Sequence, residues 1–135
     1  RTMLNDHFLD LTDGVRIESP LIWECTRFCL SPGAKASISS ALMLGVLEVG
    51  LGNYLNHVAG VFDARMVRVY ARVGWGPTVL GTSGKGRDAI SVGLWPCEEQ
   101  YRARLLVRAG VSSEVSRYWY DRSFGEISST CAAAA

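Results

Sequence analysis

Stretches with helically spaced apolar side chains alternate along this chain with short, unbroken apolar runs. That alternation constrains the fold most, because it calls for a sheet covered by helices. Residues 3–12 carry Met3, Leu4, Phe8, Leu9 and Leu11 at helical spacing, and Asp13-Gly14 ends the segment. Residues 21–30 (LIWECTRFCL) read as a strand closed by Ser31-Pro32-Gly33. Ser37, Ser39 and Ser40 offer caps for a helix to about Asn53. Its expected core face is Leu42, Val46, Val49 and Leu51, with Glu48 toward water. Residues 57–62 (HVAGVF) read as a buried strand, and Asp63 as the cap of a helix over 64–73 that Gly74 closes. In that helix Met66, Val69, Tyr70 and Val73 face inward, opposite Arg65, Arg68 and Arg72. Strands at 78–82 and 89–95 flank the loop Ser83–Asp88, and helices follow at 98–109 and 113–123.

Composition narrows the classes of function. The 135 residues suit a single domain, and 48% apolar with 20% charged residues excludes disorder as the default. A net charge of +1 gives no overall electrostatic pull toward nucleic acid. Lys35 and Lys85 are the lysines among 14 basic residues; the rest are arginines, which suit fixed bidentate contacts. No apolar run approaches the ~20 residues of a membrane span. Asp6, His7 and Asp10 come too early for a signal peptide, and a chain starting at Arg1 reads as a fragment or a processed product.

Cys25, Cys29, Cys97 and Cys131 form no CxxC pair. On an extended strand Cys25 and Cys29 would stand ~13 Å apart, too far for a disulfide, so the cysteines read as reduced thiols of a cytosolic protein. His7 and His57 are isolated and supply no zinc ligand set or catalytic triad. Gly81–Gly86 lacks the serine or threonine that follows the lysine of a phosphate-binding loop, and reads as a flexible hairpin loop. Tyr118, Trp119 and Tyr120 read as core packing of a terminal helix, and Ala132–Ala135 as a frayed end.

The stretch Trp23-Glu24-Cys25-Thr26-Arg27-Phe28 carries the chemistry. Burying either charge alone is costly, so both should be paired or touch a ligand. In a regular strand Glu24, Thr26 and Phe28 share one face and Arg27 takes the other. A β-bulge would turn both charges toward one cleft. The competing arrangements are an internal ion pair, or Glu24 paired with Arg16.

MLNDHFLDL, SPLIWECTRF and the following SPG resemble the central motif of the LuxI-type acyl-homoserine-lactone synthases, with its W-E-x-[ST]-R-F strand. The likeness continues through residues 39–53, 57–62 and ARMVRVYARVGW, and covers roughly the first 95 residues. It implies an αβα sandwich similar to the GNAT acyltransferases, with residues 1–125 as the C-terminal portion of one synthase domain whose N-terminal part is missing. Residues 126–135 are expected to be a disordered tail. It implies transfer of an acyl group from acyl carrier protein to the amine of S-adenosylmethionine, then lactonisation, to make a quorum-sensing signal. S-adenosylmethionine is a substrate there, and no cofactor or metal is implied. On this resemblance Glu24 is the base that helps deprotonate the amine, Thr26 the small hydroxyl and Arg27 the arginine that orders the site. Trp23, Phe28, Gly60 and Phe62 bind substrate, and Gly60, which offers no hydroxyl, favours an unsubstituted or 3-hydroxy acyl chain. Arg68 and Arg72 dock the carrier protein. The implied partners include no nucleic acid and no membrane, and the implied location is the cytoplasm. The alternative is a truncated, non-catalytic remnant or a module that only binds acyl groups or carrier protein.

Overall fold

The computed structural model describes residues 1–125. The readings made for residues 126–135, Cys131 and Ala132–Ala135 included, lie outside the described residues. The first apolar segment forms a short helix, α1 (Met3–His7), capped by the Thr2 hydroxyl. It breaks at Phe8 and continues as a 3-10 turn over Leu9–Thr12, so the expected helix over 3–12 is two pieces. Asp13 and Gly14 both take left-handed backbone (φ 52° and 78°) and turn the chain back.

Strand β1 is Ile22–Glu24, much shorter than the expected 21–30. The run is apolar enough for a strand, but Arg27 sits at φ 58° and turns the chain out of extended geometry. Helix α2 (Ala36–Gly52) begins after Lys35 with no side-chain cap, so the expected serine caps are not used. Its buried face is Ser40, Met43, Leu44, Leu47 and Gly50, with Leu42 exposed and Glu48 turned inward. Of the expected core face, Val46 and Leu51 do pack partly buried against the core; the best-buried stripe lies beside it because this helix is apolar on nearly every side, which leaves periodicity without a direction.

Strand β2 (His57–Asp63) and helix α3 (Met66–Val73) follow nearly as expected. The Asp63 carboxylate accepts the Arg65 N–H at 2.9 Å, but α3 starts one residue later, after Arg65 and without a side-chain cap, so Asp63 is not the expected cap. Tyr70 is buried, whereas Val69, expected inside, is exposed. Strands β3 (Thr78–Ser83) and β4 (Ile90–Pro96) pair antiparallel, with an irregularity between Val79 and Gly81. Helices α4 (Glu99–Ala109) and α5 (Ser113–Tyr120) follow, and α5 runs into a wider π-type turn over Asp121–Gly125.

The sheet order is β1-β2-β4-β3, with β1 parallel to β2 and the other neighbours antiparallel. One face packs Val58, Phe62 and Trp95 against Met43, Leu44 and Leu47 of α2 and Leu105 of α4. The other face packs Ala59 and Val92 under Leu4 and Leu11. Helix, sheet and helix therefore form three layers, in agreement with the αβα expectation.

Candidate functional site

Glu24 and Arg27 are not brought together. Glu24 lies on the α1 side of the sheet, in register with Ala59. Its carboxylate accepts the Met3 N–H at 2.8 Å and the Leu4 N–H at 2.7 Å. Those are orphan donors at a helix start, where a negative charge is favourable. Arg16 pairs with Glu18 at 2.7 Å, and Arg27 is exposed with no ion pair among the described residues. Neither expected pairing forms, and a left-handed residue takes the place of the expected bulge.

Beyond Glu24 the β1–β2 ladder makes one more bond, from the Cys25 N–H to the Ala59 carbonyl at 2.9 Å. The chain then leaves the edge of β2, and a cavity lies on the α2 side of the sheet beside this departure. It has a volume of about 50 Å³ and is partly open to solvent. Cys25 and Phe28 line it from the diverging segment, Gly60 and Phe62 from β2, and Met43 from α2. Tyr70, Trp75 and Trp95, all buried, also line it. Burial pushes the Cys25 thiol up, which keeps it protonated and apolar in character.

Of the residues expected to bind substrate, Phe28, Gly60 and Phe62 meet at this cavity. Trp23 is 46% exposed and does not line it. Thr26 is exposed. Glu24 borders a separate, smaller pocket on the opposite face, with Thr2, Leu4, Ile17 and Ala59. The two pockets stand on either side of the point where β1 and β2 part.

Arg68 and Arg72 are exposed on α3, four residues apart and so on one face. Arg65 is engaged by Asp63, and its guanidinium holds that carboxyl down at about 2. Arg68 and Arg72 therefore carry the unneutralised positive charge of this helix.

Two groups escaped sequence reasoning. Trp75 and Trp95 form an aromatic cluster with Phe62 and Tyr70, all edge-to-face. A signal existed, since both tryptophans stand beside glycine or proline in otherwise apolar runs. Glu48, expected in water, accepts from Arg102 Nε and from the Ser116 hydroxyl, each at 2.7 Å. No local signal could have found a partner 54 residues away. Among the described residues no group of three or more His, Cys, Asp or Glu gathers as for a metal ion, and no helix is long and apolar enough to cross a membrane.

The family model described as "Autoinducer synthase" matches residues 1–105. The chain belongs to the autoinducer synthase family. A curated relative from Rhizobium etli, named acyl-homoserine-lactone synthase, is 38% identical over 100 residues. That match takes in 70% of this chain and 47% of the relative, so the chain spans about half the length of the curated autoinducer synthase it matches. Among solved structures, the CoA-dependent acyl-homoserine lactone synthase MesI superposes with a TM-score of 0.76 at 20% identity. The match covers 85% of this chain and 60% of MesI. BjaI, titled a CoA-dependent acyl-homoserine lactone synthase with MTA, superposes at 0.72 and 23% identity, over 83% of this chain and 55% of BjaI. The autoinducer synthases share this mixed α/β fold, and with it the GNAT-like architecture.

Proposed function

We propose that this chain carries the acyl-transfer site of an acyl-homoserine-lactone synthase, with residues 1–125 forming part of one synthase domain. The observation that carries the reading is the apolar cavity opening at Phe28, next to the Glu24–Arg27 stretch in the chain. A cavity of this lining suits an acyl chain. In the reaction, the amine of S-adenosylmethionine attacks the thioester carbonyl. A C–N bond forms, the C–S bond to the carrier breaks, and the amine proton leaves through water toward Glu24. The carboxylate of the methionine moiety then closes the lactone and displaces methylthioadenosine from the sulfonium centre.

Glu24 gives one acceptor site on each oxygen to α1. A carboxylate has about four such sites, so both oxygens keep room for a catalytic water. Arg27 and Thr26, both exposed, are proposed to order the substrates as they bind. Trp23, 46% exposed on the edge strand, is proposed to meet substrate outside the cavity. Acyl carrier protein is the proposed donor, docking on Arg68 and Arg72 through its negative charge. A second reading, in which acyl-coenzyme A is the donor, is favoured by the CoA dependence of MesI and BjaI. The three cysteines described are free thiols, which fits the proposed cytoplasmic location.

The test is incubation with S-adenosylmethionine and either hexanoyl-carrier protein or hexanoyl-coenzyme A, followed by mass spectrometry for the lactone. Lactone from one donor identifies it. Binding of the acyl carrier with no lactone from either would replace this reading with that of a non-catalytic binding module. Glu24→Gln is expected to lose turnover while circular dichroism shows it folded; wild-type turnover would remove Glu24 from the mechanism.

A further inference from the structure

We infer that Trp95 is the end wall of the acyl cavity, that Gly60 is what lets it lie there, and that the two restrict the site to short acyl chains. The inference rests on the cavity being the acyl site. Gly60 and Gly93 face each other across β2 and β4, and Trp95 stands two residues beyond Gly93 on the same face. A Cβ built on Gly60 would come within 3.1 Å of the Trp95 ring and 3.6 Å of its next atom. Without that carbon, the indole lies across the strand and occupies depth that the cavity would otherwise have.

The ring is held there. Its indole N–H donates to the Trp75 carbonyl at 3.2 Å, and Trp75 donates its own to the Pro96 carbonyl at 2.8 Å. Phe62 and Tyr70 meet Trp95 edge-to-face, with ring centres 5.3 and 5.2 Å away. Trp95 is 8% exposed and Trp75 behind it 1%. Turning the indole aside would break its hydrogen bond and all of these ring contacts at once. The cavity's volume of about 50 Å³ lies well below that of ordinary ligand pockets, which run from about 300 to 1,000 Å³. A long chain would therefore meet the Trp95 ring before its thioester reached the mouth of the cavity, and a misfit of even one methylene in an apolar pocket is worth roughly tenfold or more in discrimination.

Two measurements on the full chain test this. The first is competition between butanoyl and dodecanoyl thioesters, read as the ratio of the two lactones. The second is calorimetric titration with butanoyl- and dodecanoyl-pantetheine thioethers, which cannot react and so report chain length even where no lactone forms. Wild type should favour the butanoyl probe by about tenfold or more in each assay. Trp95→Leu should move the ratio about tenfold toward dodecanoyl, and Trp95→Phe by less. Gly60→Ala places a methyl within 3.1 Å of the Trp95 ring in the cavity lining, and should weaken butanoyl binding. A wild-type preference for dodecanoyl, or a Trp95→Leu variant that is folded by circular dichroism and keeps the wild-type ratio, would overturn the inference. Absence of lactone with the expected binding preference would instead count against the catalytic reading alone.

Discussion

Removing Arg102 is expected to be among the most damaging single changes outside the candidate site. Its side chain is 10% exposed and that of Glu48 13%, and the two meet at 2.7 Å. In Arg102→Met the Glu48 carboxylate keeps the Ser116 hydroxyl at 2.7 Å and loses its counter-charge. Breaking a buried pair on one side costs about 3–5 kcal/mol. The lower end applies here, because Ser116 remains and a polar cavity lined by Glu48, Glu99, Arg117 and Tyr120 lets water approach. A loss of about 3 kcal/mol corresponds to a fall in Tm of roughly 10 °C for a domain of this size. Urea unfolding followed by far-ultraviolet circular dichroism measures it, with an unchanged m-value showing that stability itself has moved. Glu48→Leu combined with Arg102→Met removes both charges and should return to within about 1 kcal/mol of wild type. A loss below about 1 kcal/mol in Arg102→Met would put the pair on a level with a surface contact and refute the reasoning.

Two further outcomes follow from the surface and from the thiols. Arg68→Glu together with Arg72→Glu should raise KM for an acyl-carrier protein, more at low salt than at high, because exposed charges are screened within about a Debye length. An unchanged KM at every ionic strength would make these arginines ordinary surface. Burial pushes the Cys97 thiol up to about 11, above its ordinary value of 9.0. The folded protein thus holds this proton after the unfolded chain has released it, and stability should fall as pH rises from 9 toward 11. Urea midpoints should show that fall in wild type and a smaller one in Cys97→Ala; identical slopes would refute it.

Much of the architecture was legible because local signals and tertiary context agreed. HVAGVF is apolar on both faces and became the second strand of the sheet, next to the edge. Gly74 ends α3 in a left-handed turn, as its place after an amphipathic run suggested. Reading failed where a local pattern was complete but uninformative. LIWECTRFCL has the composition of a strand, yet it leaves the sheet after one further bond, and nothing in its side chains announces a left-handed Arg27. Helix α2 is apolar around its circumference, so its buried face was set by what packs on it from α4 and α5. The candidate site was legible in part. Phe28, Gly60 and Phe62 do line one cavity, while the inner wall of Trp75 and Trp95 comes from loops and strands far along the chain.

The brevity of β1 sets how the W-E-x-T-R-F segment behaves in time. Strands β2, β4 and β3 hold each other by long antiparallel registers, whereas β1 has three residues, tied to β2 by few parallel bonds and to α1 by the grip of Glu24. Amide protons of β1 should therefore exchange before those of β2 and β4, and a bound substrate that bridges β1 to β2 should slow that exchange.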